Sequence, residues 1–291
     1  MSVLAALPRD FPFPGKASAV ANTEPTPTWA ADAIVIRPVR KATAQGVEDV
    51  QDAVAVERWL RITVNGRDVA AVMCTPGYET DLAAGLVLTQ GLIRGREDLL
   101  SVTMRSDEQG DAVRIVVPVE VSLAMVDRLA ARGSCGGLVY SDEDLPALAN
   151  LGPAVTAEAL RRMAHAMAGE QEIYKRTGGT HAASVFTASG EAIVVREDVG
   201  RHNAVDKVVG HCVMAGHSLA DKVMVTTGRA SREIAAKVVW AGVPVLASVS
   251  AATNAGIDVA ERGGLTLVAF LRGRRLNVCA HPERIDLGEG G

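Results

Sequence analysis

A chain of 291 residues, 48 % hydrophobic and 22 % charged, holds enough apolar material for a core without disulfides or a structural metal. Lys+Arg 30 against Asp+Glu 34 gives a net charge of −4, and only 3 % of residues are aromatic. Phosphate neutralisation needs a basic excess and base stacking needs aromatic platforms, so nucleic acid is excluded as the main partner. At ~150 residues per domain the length suggests about two domains.

The four cysteines, at 74, 135, 212 and 279, lie 61, 77 and 67 positions apart, so no Cys-x-x-Cys pair exists. Neither a zinc knuckle nor a disulfide scaffold is encoded, and scattered thiols point to a reducing compartment. The opening MSVLAALPRDFPFPG lacks the basic region and unbroken apolar run of a signal peptide. Val238 to Ile257 is uncharged, but Gly242, Pro244, Ser248, Ser250, Thr253 and Asn254 break it into helix end, buried strand and helix start. A cytoplasmic protein with no membrane span is expected.

Six of the 12 prolines precede position 39, so residues 1–31 are expected to form a disordered tail. Order should begin at Ile34-Val35-Ile36. Glu57 to Val64 and Asp68 to Cys74 flank Asn65-Gly66, which accepts the positive φ angles of a tight hairpin. Leu82, Ala83, Leu86, Val87 and Leu88 predict a helix over Glu79 to Ile93. A second hairpin should join Ser101–Met104 to Ala112–Val117 through Gln109-Gly110-Asp111. Residues 32–132 thus read as a small α+β unit. A flexible stretch over 133–153 should follow, opened by Arg132-Gly133-Ser134-Cys135-Gly136-Gly137.

From 154 to 291 helices and strands alternate. A helix capped by Thr156 covers Glu158 to Glu170, and strands at Ala182–Phe186 and Ala192–Arg196 join through Ala188-Ser189-Gly190. A helix from about Asn203 to Ala215 precedes a strand at Val223–Thr227. A helix over Ser231–Trp240 and a strand at Val243–Val249 come next. The last helix, Asn254–Glu261, leads to strands at Leu265–Leu271 and Arg275–Cys279. Short apolar strands between helices imply an α/β sheet covered on both faces.

Cys135 is the most suggestive reactive residue. Three glycines flank it, and Arg128 and Arg132 would favour its thiolate if they approach. The alternative is a small residue accommodated in a turn. Cys74, Cys212 and Cys279 fall in regular elements and read as small core hydrophobes. A second constellation, Arg196-Glu197-Asp198-Val199-Gly200-Arg201-His202-Asn203-Ala204-Val205-Asp206-Lys207, joins a strand to a helix. Ligands gather at such strand ends in open α/β sheets, so His202 is a candidate ligand or proton-transfer group with Asp206 to orient it. The alternative is a solvated cap with an internal salt bridge.

Thr226-Thr227-Gly228-Arg229-Ala230-Ser231 repeats the strand-to-helix pattern, with Arg229 or Arg232 adding charge for a phosphate. Ser250-Ala251-Ala252-Thr253-Asn254 is a third such turn. Phe270-Leu271-Arg272-Gly273-Arg274-Arg275 places three arginines at a hairpin tip, suited to phosphate or merely exposed.

Gly178-Gly179-Thr180-His181, the segment 196–207, Gly228-Arg229-Ala230-Ser231 and 270–275 together resemble the FdhD family of formate dehydrogenase accessory sulfurtransferases. The resemblance runs over roughly Ile34 to Ile285. It implies a cytidine-deaminase-like C-terminal domain, a smaller N-terminal domain and a homodimer. It further implies a sulfur carrier that takes persulfide sulfur from a cysteine desulfurase on Cys135. The recipient would be the molybdenum bis(guanine dinucleotide) cofactor of formate dehydrogenase, held by Phe270, Leu271, Arg272, Gly273, Arg274 and Arg275. Many relatives read Cys-Gly-x-Cys-Gly, whereas here Leu138 stands where the second thiol would be. A persulfide needs one sulfur only, so transfer stays chemically open while a disulfide within the loop does not.

Two rivals remain. A zinc deaminase would need His-x-Glu and Pro-Cys-x-x-Cys, but His202-Asn203-Ala204 lacks the glutamate and Gly228-Arg229-Ala230-Ser231 lacks the thiols. No metal is therefore expected. A non-catalytic chaperone for the molybdenum cofactor is the second.

Overall fold

The computed structural model describes residues 32–108, 110–118, 144–148 and 152–288. It opens with a two-stranded ribbon, β1 (Ile34–Thr43) and β2 (Gly46–Ala55), paired antiparallel from Ile34↔Ala55 to Thr43↔Gly46. Order at Ile34 matches the sequence reading, but the returning strand was not foreseen. Its turn, Ala44-Gln45, carries no turn dipeptide, and Glu48, Asp49 and Asp52 interrupt any simple alternation.

Next come β3 (Arg58–Val64) and β4 (Arg67–Cys74), α1 (Glu79–Thr89), then β5 (Ser101–Asp107) and β6 (Gly110–Val116). Asn65 at φ 49° and Gly66 at φ 81° form the expected left-handed turn between β3 and β4. The four strands make one sheet in the order β4-β3-β6-β5, with β3 and β6 parallel. The helix is shorter than the sequence suggested. It stops at Thr89, and Gly91 at φ 70° lies against the Trp240 ring and turns the chain away.

The later part contains β7 (Val155–Thr156), α2 (Ala157–Gly169), α3 (Glu172–Thr177), β8 (His181–Thr187), β9 (Ala192–Asp198) and α4 (Arg201–Ala215). It continues through β10 (Lys222–Thr226), α5 (Arg232–Trp240), β11 (Val245–Ser248), α6 (Asn254–Gly263), β12 (Thr266–Arg272), β13 (Arg275–Ala280) and β14 (Ile285–Asp286). Thr156 caps α2 as expected, its Oγ1 accepting from Ala159 N at 3.0 Å. The short α3 was not anticipated; its six residues are too few for a periodic signal. The strand expected from Val243 starts only at Val245, after Pro244.

Six strands form the main sheet, in the order β13-β12-β11-β10-β8-β9. β10, β11 and β12 are parallel, while β8 runs antiparallel to both β10 and β9. Alternate side chains divide between two buried layers. Val185, Met224, Leu246 and Leu267 face the layer that holds α1, α4 and α5. Phe186, Val223, Val225, Val245 and Val268 face the layer that holds α2. Both faces of the sheet are thus covered, and the first layer continues without a gap into Leu60, Ile62, Val113 and Ile115 of the four-stranded sheet.

Helices α1 and α4 meet backbone to backbone. A Cβ on Gly85 would sit 1.8 Å from the Asp206 carbonyl oxygen, and one on Gly210 would sit 1.8 Å from that of Asp81. Only glycine permits this approach. Gly85→Ala or Gly210→Ala should lower urea-denaturation stability by about 1–3 kcal/mol or more, because the whole interface must separate. Gly169→Ala, where a Cβ meets nothing within 4 Å, should be neutral or mildly stabilising.

Candidate functional site

The strand directions decide where the sequence motifs meet. Since β9 and β10 are each antiparallel to β8, they run alongside β11 and β12, and all four carboxyl ends share one edge. That edge collects the turns 198–202, 226–231 and 248–254 and the tip of the β12–β13 hairpin, which are the places where an open sheet binds ligands.

Direct bonds hold these turns together. His181 Nδ1 lies 3.3 Å from Thr227 Oγ1, and a Cβ on Gly228 would touch Arg201 Cβ at 2.9 Å. Ser248 Oγ donates to Gly228 O at 2.7 Å. Ala230 bridges to Ala252, with Ala230 N donating to Ala251 O and Thr253 N to Ala230 O. Phe270, in the left-handed region at φ 54°, donates its N–H to Ser250 O at 2.8 Å. This bulge carries the arginine hairpin tip onto the same edge. There the Arg272 and Arg275 guanidinium groups stand 5.2 and 4.6 Å from the Phe270 ring centroid.

Of the residues singled out from sequence, Phe270, Leu271, Arg272, Gly273, Arg274, Arg275, His202 and Arg229 all lie on this edge. Leu271 is buried as core, whereas Gly273, Arg274 and Arg275 are exposed. Arg201 and His181, quoted only as parts of motifs, belong to the cluster as well. His181 is pushed below the usual histidine value by burial and by the charges of Arg201 and Arg229. His202 is pushed down to about 4, first by burial and then by Lys237 and Arg201, with Glu233 opposing. Its Nε2 and the Nε of Arg201 are buried without a hydrogen-bond partner among the described residues. The edge therefore offers neutral imidazoles and guanidinium charge, a chemistry suited to an anionic, hydrogen-bonding ligand.

Asp206 does not orient His202, contrary to the sequence reading. Its oxygens accept from Lys237 Nζ at 2.8 and 2.7 Å, and Oδ1 also accepts from Thr89 Oγ1 at 2.7 Å. Apart from Arg201, the remaining charges of the twelve-residue motif are committed internally too. Asp198 pairs with Lys207 at 2.8 Å and accepts from Thr75 N, Gly200 N and Asn203 Nδ2. Glu197 accepts from Ile173 N, Tyr174 N and Thr180 Oγ1. Arg196 binds Asp81 and lies 3.7 Å over the Tyr78 ring. Thr75, Asp81 and Thr89 come from the first part of the chain, so this motif is mainly a buried polar seam and not a solvated cap. No pattern local to 196–207 reveals this, because Thr75, Asp81 and Thr89 lie more than 100 residues away in sequence.

A cavity of about 600 Å³ runs along β9, lined among others by Tyr78, His165, Ile173, Arg196 and Glu197. Its Arg196, Glu197 and Lys207 are consumed by the bonds just given, so the carboxyl edge is the better candidate site. Cys135, Arg128, Arg132 and Leu138 lie outside the described residues. Cys74 and Cys212 are buried, and desolvation pushes both thiols up to about 12. Cys279, partly buried, is raised by the same cause. Among the described residues no three His, Cys, Asp or Glu gather to hold a metal ion, and no helix is long and apolar enough to cross a membrane.

The FdhD/NarQ family model matches residues 55–286. The chain belongs to this family. It is 38 % identical over 264 residues to the sulfur carrier protein FdhD of Nocardia farcinica, covering 86 % of this chain and 94 % of that protein. The sulfur carrier protein FdhD of Anaeromyxobacter dehalogenans is 39 % identical over 267 residues, covering 82 % of this chain and 90 % of that protein. A crystal structure described as that of a candidate formate dehydrogenase accessory protein from Desulfotalea psychrophila superposes with a TM-score of 0.72. It is 24 % identical and covers 87 % of this chain and 99 % of that one, which establishes the shared fold. FdhD/NarQ membership gives the motifs at the sheet edge a common context.

Two measurements check the electrostatics. The folded-state value of His202, about 4, lies below the ~6.5 of an unfolded histidine. The unfolded chain therefore takes the proton first, and stability falls as the pH drops from about 6.5 toward 4. His202→Gln should flatten that part of a pH–stability curve and leave the region above pH ~7 unchanged. Lys237→Met strands the buried Asp206 carboxylate and should cost about 3–5 kcal/mol in chemical denaturation, partly restored by adding Asp206→Leu.

Proposed function

We propose that the protein is a sulfur carrier in the maturation of formate dehydrogenase, loading sulfur on Cys135 and delivering it to a molybdenum bis(guanine dinucleotide) cofactor. Membership of the FdhD/NarQ family, whose curated relatives are named sulfur carriers, carries this reading. The guanine dinucleotide enters as substrate. Its phosphates suit Arg229, Arg272, Arg274 and Arg275, and the orphaned Nε2 of His202 is free to bond its polar groups. The proposed assembly is a homodimer. Its parts are a small α+β unit (32–132), a linking stretch (133–153) and a cytidine-deaminase-like unit (154–291). A hairpin, β8–β9, beside three parallel strands supports that last assignment.

The Cys135 thiolate attacks the terminal sulfur of a cysteine desulfurase persulfide. The donor's sulfur–sulfur bond breaks, a new one forms on Cys135, and the desulfurase cysteine leaves as thiolate. The sulfur–sulfur bond on Cys135 then breaks with its electron pair kept by Cys135, which returns to thiolate. The outer atom leaves at the neutral, sulfane level for the cofactor at the sheet edge, whose metal would supply the two electrons that make it sulfide. Cys74 and Cys212 are poor alternatives, because thiols held at about 12 supply almost no thiolate near neutrality. His202, neutral at pH 7, is a hydrogen-bonding group in this scheme.

Intact-mass analysis after incubation with a cysteine desulfurase and cysteine tests the carrier role. Wild type should gain one sulfur, and Cys135→Ala should gain none. Labelling that persists in Cys135→Ala would move the site to another thiol. In cells, full formate dehydrogenase activity with Cys135→Ala would favour the non-catalytic cofactor chaperone, a reading that Leu138 in place of a second loop thiol keeps open.

A further inference from the structure

Strand β9 is one edge of the six-stranded sheet, and the cavity of about 600 Å³ follows it over six consecutive residues, Ala192 to Glu197. Helices α2 and α3 contribute Ala166 and Ile173 to its lining, and the β4–α1 connection contributes Pro76 and Tyr78.

Register decides which backbone groups this edge leaves open. Ala182 turns toward β10, its O accepting from Thr227 N at 3.0 Å and its N donating to Thr227 Oγ1 at 2.9 Å. Glu197 stands opposite Ala182, so its own N–H and C=O point away from β8 to the open side. Those of Val195, two residues earlier, do the same. Both carbonyls are taken. Lys207 Nζ donates to Glu197 O at 3.3 Å, and Arg196 Nη1 donates to Val195 O at 3.0 Å. The two N–H groups have no partner among the described residues, although Glu197 is buried and Val195 half-buried. Such backbone donors are seldom left unpaired. The edge thus presents donors without free acceptors, beside apolar walls. An ordinary strand, with one N–H for every C=O, fits it poorly. An extended segment containing proline, which brings carbonyls and few N–H groups, fits it well.

The chain holds such a segment beside the groove. The described residues begin at Asp32, Ala33 is wholly buried against Ile173, and Ile173 N donates to Glu197. Residues 1–31 therefore join the structure at the Glu197 end of the groove. The last seven of them are Pro25-Thr26-Pro27-Thr28-Trp29-Ala30-Ala31. At ~3.1 Å per residue they span about 22 Å, against about 20 Å for six residues of strand.

We propose that residues 25–31 lie in this groove parallel to β9, their carbonyls accepting from Val195 N and Glu197 N and Trp29 set among Ala166, Ile173 and Tyr78. For these seven residues the proposal replaces the expectation of a disordered tail. Glu24 and Thr26 each precede a proline and are held out of helix, so part of the ordering cost is met before docking. Pro25 and Pro27 offer no N–H to a further strand, so the segment also blunts the sheet edge that it covers. The inference is independent of the sulfur chemistry.

The test uses the full chain. Hydrogen exchange read by mass spectrometry over 192–198 should show the Val195 and Glu197 amides exchanging at least ~10 times faster in Trp29→Ser than in wild type, with circular dichroism unchanged. Pro25→Gly combined with Pro27→Gly should act in the same direction. A photo-crosslinking benzoylphenylalanine at position 29 should join α2 or β9 of its own chain, and a mixture of isotopically light and heavy protein separates this from joining a second copy. Equal exchange in wild type and Trp29→Ser would overturn the proposal. So would crosslinks that form between chains, or that miss both α2 and β9.

Discussion

Everything at the sheet edge depends on the crossing of α1 and α4 at Gly85 and Gly210. Two backbones in direct contact bring Thr75, Asp81 and Thr89 from the first part of the chain against Arg196, Asp198, Asp206 and Lys207 from the second. Burial of these charges is tolerable only because each is paired and hydrogen-bonded. The crossing thus sets the angle of α4, and the first turn of α4 sets Arg201 and His202 at the candidate site.

The segment 196–207 divides its labour accordingly. Glu197, Asp198, Asn203, Asp206 and Lys207 are buried, and each finds its partners among one another, the backbone, or the side chains of Thr89, Thr180 and Lys237. Arg201 and His202, between them in sequence, retain buried nitrogens with no hydrogen-bond partner among the described residues. Buried polar atoms are rarely left unsatisfied, and those that are tend to mark places where something else binds. A rigid seam of fulfilled bonds beside a few unfulfilled ones is the arrangement that a preorganised ligand site requires.

The thiols follow a similar separation. Cys74 and Cys212 sit in the layer between the sheets, where desolvation keeps them protonated and inert. A thiol raised to about 12 is almost wholly protonated near neutrality, so neither acts as a nucleophile there.

Local chemistry was legible from the sequence. Asn65-Gly66 specified its turn because few other residues accept φ angles of 49° and 81° there. Thr156 specified a helix start, and the β8–β9 hairpin and the alternation after it followed from short-range pattern alone. The motifs that converge on the carboxyl edge were also recognisable, because strand-to-helix turns carry glycine, small polar residues and arginine in short windows. What the tertiary structure decided was the partner of each charge. Asp206 reads as a companion to His202 one turn away, yet it binds Lys237 and Thr89, 31 and 117 positions distant. The acidic strand β2 was not foreseen, and its place is set by its register against β1. A pattern confined to neighbours along the chain reports propensity, whereas pairing of buried charges and strand edges is settled by whichever distant segment the fold delivers to them.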